Sequence, residues 1–195
     1  MQTRATLPLV RTARPADATA LVALAQALLA HEYALNAAPY VVHPWAASVQ
    51  ELDKQLRQPE TRFFVAETEN QLVGYLKVVL HGRAFTRAEL GWRRWSKKLL
   101  SDFGKRAFEV LLRRPRANVT VTGGYIAGAF VLPAWRRSHL GHALVAAAEN
   151  WLRQNGMPTS ELHVLYANPG AREFWASLGY EPLALGLRKK LNRED

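Results

Sequence analysis

Apolar residues recur every three or four positions over Leu21, Leu24, Ala25, Leu28 and Leu29, which predicts a helix with one buried face. Leu7 to Ala13 alternates weakly before it and reads as a first strand. Arg14-Pro15-Ala16-Asp17 makes the turn between them, with Asp17 placed to cap the helix. The helix runs out at His31, Glu32 and Tyr33, and a stretch with Pro39, Pro44 and Trp45 follows without a period. Val49, Leu52 and Leu56 share one side of a short helix, about Ala47 to Arg57, which Pro59 stops. Arg62 to Thr68 and Leu72 to Leu80 are strand-like runs joined by Glu69-Asn70-Gln71, an antiparallel hairpin.

Glu89 to Arg114 has a different character. Trp92, Trp95, Leu99 and Phe103 recur at helical spacing, with Arg93, Arg94, Lys97 and Lys98 on another face. Gly104 interrupts, and Phe108, Leu111 and Leu112 give a second short helix, so residues of about 83–117 read as a basic helical insertion between two strands. Asn118 to Leu132 is the next strand, with Gly123, Gly124 and Gly128 in or beside it. Leu140, Leu144, Val145, Ala148 and Leu152 then mark a long helix that stops at Asn155-Gly156. Glu161 to Tyr166 is a strand, Asn168-Pro169 a turn, Gly170 to Leu178 a helix closed by Gly179, and Tyr180 to Leu191 a last strand or strand pair broken around Gly186. A strand-helix-strand unit demands parallel pairing and the hairpin demands antiparallel pairing. The expectation is an α/β fold: a mixed, mostly antiparallel sheet with helices on both faces, in one domain over residues 1–195.

The stretch Val131 to Leu144, VLPAWRRSHLGHAL, joins a strand to a helix through a basic turn. A helix start leaves backbone N–H groups unpaired at the positive end of its dipole and so suits a phosphate. Gly141 allows close approach to the backbone, and Arg136 and Arg137 add charge. The same pattern also fits a solvated helix end.

Composition narrows the field. The chain is 49% hydrophobic and 22% charged, as in ordinary globular proteins. No apolar run approaches the ~20 residues that span a bilayer, and MQTRATLPLV lacks the features of a secretory signal, so a cytoplasmic protein is expected. The absence of cysteine removes disulfides, thiolate metal sites and a cysteine nucleophile, and no metal is expected. The net charge of +10 fits nucleic acid, an anionic membrane or an anionic substrate. Eleven Lys and Arg against three acids lie between His81 and Asn118, so one segment holds most of the excess. That segment reads as an amphipathic lid or a dimer-forming element, as a surface attracting an anionic substrate or coenzyme phosphates, or as a contact with membrane or nucleic acid.

With these residues in hand, the chain resembles the GNAT superfamily of acyl-CoA-dependent N-acyltransferases. Its central pattern is Val-x-Pro, an aromatic, then Arg/Gln-x-x-Gly-x-Gly/Ala opening a helix; Val131, Pro133, Trp135, Arg136, His139 and Gly141 match it in order, with His139 in place of the first glycine. Its second pattern is matched by Asn168, Ala171, Phe174, Trp175, Gly179 and Tyr180, and RTARPAD at Arg11 to Asp17 is similar to its first strand and turn. The resemblance implies acetyl-CoA as acyl donor, with the diphosphate on the amides of Arg136, Arg137, Ser138, His139, Leu140, Gly141 and His142. It implies that Phe130 and Val131 pair with the pantetheine arm as an added strand, where the sheet splays between this strand and the one at Glu161 to Tyr166. Asn168 would bond the arm from the other side, although an Asx turn before Pro169 explains the same residue. Trp175 stands where many members have a tyrosine; indole cannot act as an acid, so it packs against the coenzyme or the core.

The implied reaction is direct attack of an amine of a small molecule or protein on the thioester carbon in a ternary complex. It needs a proton acceptor, an oxyanion donor such as a backbone N–H at Phe130 or Val131, and alignment. Relatives often place an acid on the strand before Val-x-Pro, yet Tyr125-Ile126-Ala127-Gly128-Ala129-Phe130-Val131 contains none. Tyr166, Tyr125, His81 and Glu32, with His31 and Tyr33 beside the last, are weak substitutes, each better explained structurally. No catalytic residue is assigned. The alternative is a protein of this fold that holds acyl-CoA, or an anionic surface, with little or no turnover.

Overall fold

The computed structural model describes residues 8–35, 48–68, 71–81, 84–86, 118–120 and 123–187. In chain order these form β1 (Leu9–Thr12), a 3-10 turn (Pro15–Asp17), α1 (Ala18–Ala34), α2 (Val49–Leu56), β2 (Thr61–Thr68), β3 (Gln71–His81), β4 (Ala84–Thr86), β5 (Asn118–Thr120), β6 (Gly123–Val131), a 3-10 turn (Pro133–Trp135), α3 (Leu140–Gln154), β7 (Ser160–Leu162) and α4 (Pro169–Ser177). The main sheet has the order β1-β2-β3-β6-β7. Its first three junctions are antiparallel and β6–β7 is parallel, so the sheet is mixed and mostly antiparallel, as the sequence predicts. The chain divides into two compact units, Met1–Leu28 with His43–His163, and Leu29–Val42 with Val164–Asp195. The first holds the sheet, α2 and α3; the second holds α4.

Strand β2 reads Phe63-Phe64-Val65-Ala66, apolar on both faces, and all four residues are buried. This is the pattern of a strand covered on both sides. On one face, Lys77 of β3 reaches Gln55 of α2, its Nζ donating to Oε1 at 2.9 Å. Leu80, three residues further and so on the other face, pairs with Gly124 of β6. A Cβ on Gly124 would lie 2.3 Å from the Leu152 side chain of α3. Helix α3 therefore lies against the opposite face from α2. Its buried positions, Leu140, Leu144, Val145, Ala148 and Leu152, are those its period selects.

Four expectations need correction. Asp17 does not reach forward into α1; its carboxylate accepts from the Arg14 amide at 2.6 Å and closes the turn backward. It also takes two bonds from Arg11, at 2.7 and 2.9 Å, while Arg11 Nε reaches Glu67 at 2.6 Å and ties β1 to β2. The Arg11 guanidinium holds the Asp17 carboxyl below the ordinary carboxylate range. The strand expected over Glu161 to Tyr166 is only Ser160–Leu162, because its pairing with β6 ends at Ile126–Leu162. The strand expected over Asn118 to Leu132 is divided: β5 pairs with β4 as a separate two-stranded ladder, and β6 starts anew at Gly123.

The last strand expected over Tyr180 to Leu191 is not formed in its described part: Tyr180 to Leu187 pairs with no strand, and Leu183, Leu185 and Leu187 are exposed. Helix α2 matches its predicted span apart from its ends, with Ser48 Oγ accepting from the Glu51 amide at 3.1 Å. The helical part of the basic insertion lies outside the described residues, except that 84–86 at its start are strand β4. No helix among the described residues is long and apolar enough to cross a membrane.

Candidate functional site

Strand β6 leaves the sheet at Val131 and enters α3 at Leu140 through eight residues of turn. Pro133–Trp135 starts the turn as a 3-10 element with proline in its first turn. Arg137 and His139 then both take left-handed backbone angles, φ 61° and 63°. His139 is the N-cap of α3, and its side chain makes no capping bond. The first helical bond into the turn is Ala143 N–H to His139 O, 3.1 Å. The amides of Leu140 and Gly141 therefore precede the helical ladder, as at any helix start. The two left-handed residues turn the chain sharply just before the helix start.

The structure accounts for the family's glycine at the position of His139. A left-handed angle costs a residue with a Cβ about 1 kcal/mol or more, although histidine tolerates it better than β-branched residues do. His139 is exposed, its ring 5.8 Å from that of His142. We expect His139→Gly to leave stability within about 1 kcal/mol of the parent, and His139→Val to lose about 1–2 kcal/mol, read from urea midpoints.

The remaining predicted residues of this stretch lie together. Phe130 is buried on β6 opposite Tyr75. The Arg136 guanidinium carbon lies 5.6 Å from the Phe130 ring centre, and its Nε donates to Val131 O at 3.2 Å. Ser138 Oγ bonds back to Trp135 O. Arg136, Arg137, Ser138 and His142 are exposed, and Leu140 is buried as the first anchor of α3. Beyond Ile126, β6 keeps β3 on one edge and has no described strand on the other. Residues 127–131 thus present roughly 15 Å of open edge ending at the turn.

At the closed end of that edge stands a pair the sequence did not join. Tyr125 is opposite Glu161, one position before the last pair of the ladder. Its hydroxyl lies 2.8 Å from Nδ1 of His163, the first residue after β7, and the rings meet edge-on at 5.6 Å. Among the other proton-transfer candidates, the side chain of His81 lies outside the described residues.

In the second unit, Asn168 Oδ1 accepts from the Ala171 amide at 3.1 Å and caps α4. This is the Asx-type role left open by the sequence. Trp175 is buried, its ring centre 5.1 Å from those of half-buried Phe174 and Tyr180. Tyr166 is 73% exposed, with the Arg172 guanidinium 4.5 Å over its ring. Burial raises the Glu32 carboxyl.

A cleft of about 430 Å³ in the first unit is lined by α1, Glu67, Leu72 and Leu132. Its two carboxylates, Asp17 and Glu67, are both bonded to Arg11.

The fold has many solved counterparts. A mutant of the BH1408 protein from Bacillus halodurans superposes with a TM-score of 0.67 at 16% identity, over 94% of this chain and 99% of that one. The aminoglycoside acetyltransferase AAC(6')-Iy, in complex with the bisubstrate analogue CoA-S-monomethyl-acetylneamine, gives 0.61 at 14% identity, over 95% and 100%. AAC(6')-IG from Acinetobacter haemolyticus, an aminoglycoside 6'-N-acetyltransferase, gives 0.57 at 17%, over 94% and 99%. A comparison with well-characterised protein sequences finds no significant match. The profile of the acetyltransferase (GNAT) family matches residues 28–180, which takes in β6, the left-handed turn and α3. By that match, and by the sheet and helix-start geometry it runs through, the chain belongs to the GNAT acetyltransferase family.

Proposed function

We propose that this protein transfers an acetyl group from acetyl-CoA to the amine of a small molecule, by direct attack in a ternary complex. The observation that carries the reading is the turn from β6 into α3. Its left-handed bends, the helix-start amides of Leu140 and Gly141 and two exposed arginines suit an anion at one end of an open strand edge. In this reading the diphosphate of coenzyme A sits on the amides of residues 137–142, with Arg136 and Arg137 beside it. The pantetheine arm lies along Gly128 to Val131 as an added strand, and the coenzyme supplies the activated acyl group.

Arg136 is tied to the Val131 carbonyl, so it also stiffens the corner. Asn168 and Trp175 enter this reading through the family pattern alone. The oxyanion donor is a β6 amide near Phe130.

The AAC(6') neighbours act on aminoglycosides, which are polycations. A chain of net charge +10, whose described cleft carboxylates are neutralised by Arg11, is poorly suited to attract a polycation. The acceptor is therefore an amine of low positive charge.

The strand segment Tyr125 to Val131 carries no acid, which favours the second reading, a coenzyme-binding protein with little turnover. Calorimetry and thiol release separate the two. The parent binds coenzyme A, Arg136→Glu weakens binding at least tenfold, and acetyl-CoA releases thiol with one or more amines of a neutral and anionic panel. Binding without thiol release on any amine returns the second reading. Equal affinity of parent and Arg136→Glu removes Arg136 from the seat.

A further inference from the structure

The chemistry lacks a proton acceptor on β6, and the Tyr125–His163 pair stands at the end of the open edge where one is required. We propose that His163 takes the proton of the incoming amine and that Tyr125 delivers a proton to the departing sulfur, the two acting as one relay. This rests on the acyltransferase reading above.

Three observations carry it. The pair is bonded, Tyr125 oxygen to His163 Nδ1 at 2.8 Å. It is placed where β6 and β7 part: Ile126–Leu162 is the last strand pair, and Tyr125 and His163 flank it, one before and one after. An arm laid along residues 128–131 from the α3 end brings its far end to this point. The pair is also accessible, with His163 exposed and Tyr125 half-buried, as groups that meet a substrate must be. On the same face, Val79 and Lys77 of β3 and Glu161 of β7 are the neighbours by strand register. Lys77 is turned to Gln55 of α2.

The balance is closed. In direct transfer the nitrogen–carbon bond forms, the carbon–sulfur bond breaks, nitrogen loses one proton and sulfur gains one. The relay assigns the tautomer with Nδ1–H donating to the tyrosine oxygen and Nε2 bare. Nε2 accepts the amine proton, Nδ1–H passes to the Tyr125 oxygen, and the Tyr125 hydroxyl proton goes to sulfur. Histidine ends in its other tautomer and exchanges back through solvent, which its exposure permits. Imidazole is suited to the task because one ring nitrogen accepts a proton while the other donates one.

The test uses full-length parent, His163→Gln and Tyr125→Phe. Calorimetry gives affinity for coenzyme A. Ring nitrogen resonances of histidine, labelled with ¹⁵N, are followed with and without the unreactive thioether S-ethyl-CoA, and thiol release from acetyl-CoA is measured with the amine panel. Both variants are expected to bind coenzyme A within threefold of the parent. His163→Gln should lower kcat at least 100-fold and Tyr125→Phe at least tenfold. S-ethyl-CoA should move both His163 ring nitrogens in the parent, and Tyr125→Phe should change their tautomer ratio.

Unmoved His163 nitrogens at saturating S-ethyl-CoA would overturn the relay, as would turnover within twofold of the parent in both variants. Should no amine be turned over, the nitrogen resonances decide alone. Failure of the parent to bind coenzyme A defeats the acyltransferase reading itself, a separate result.

Discussion

Gly124→Val is expected to destabilise the protein by about 3 kcal/mol, seen as a lower urea midpoint at unchanged slope. A Cβ at this position lies 2.3 Å from both Leu152 methyl carbons, and Leu152 is 2% exposed, so it has little space to retreat. The contact lies between β6 and α3, the two elements that set the corner of the site. Leu152→Ala alone should cost about 2–4 kcal/mol by leaving a cavity. Combined with Gly124→Val, the loss should fall well short of the sum, because the new methyl groups enter the space the leucine vacates. Additive losses would show that residue 124 does not bear on α3.

Lys77→Met should raise stability by about 2 kcal/mol at pH 7. Lys77 is 5% exposed in the sheet, and burial lowers its ammonium to about 8. Gln55 Oε1 accepts from its Nζ at 2.9 Å, and the Phe63 ring lies 5.5 Å away. The sign follows from proton counting. Between about 8 and the ordinary 10.5, the unfolded chain keeps a proton that the folded protein has shed. The unfolded state then binds more protons, so parent stability rises with pH through that window. The advantage of Lys77→Met should be full below pH 8 and shrink towards pH 10.5. Denaturant melts at pH 7, 9 and 10 check it, and a constant difference would contradict it.

Much of the fold is legible in the residues because its signals are local. The hairpin of β2 and β3 follows from two long β-rich runs, and α3 from five apolar residues at helical spacing. The sequence of VLPAWRRSHLGHAL also announces a strand, a basic turn and a helix start. What stayed hidden depends on partners distant in the chain. The strand at Glu161 looks six residues long by composition, but β6 offers it a partner only as far as Ile126, so it ends at Leu162. Asp17 looks like a helix cap until Arg11 and the Arg14 amide draw its carboxylate backward. The left-handed angle of His139 was signalled only by the glycine usual there. His163 carried no signal at all: a lone histidine after a short strand acquires meaning only when parallel pairing sets it beside Tyr125, 38 residues away.

The central claim is that main-chain amides at the start of α3 hold a diphosphate. It is tested most directly by following the backbone amide resonances of Leu140, Gly141 and His142 while coenzyme A, and separately pantetheine, is titrated in. Coenzyme A should move all three amides to saturation, and pantetheine, which lacks the diphosphate, should leave them within a small fraction of that shift. Saturation by coenzyme A with these three amides unmoved would contradict the account.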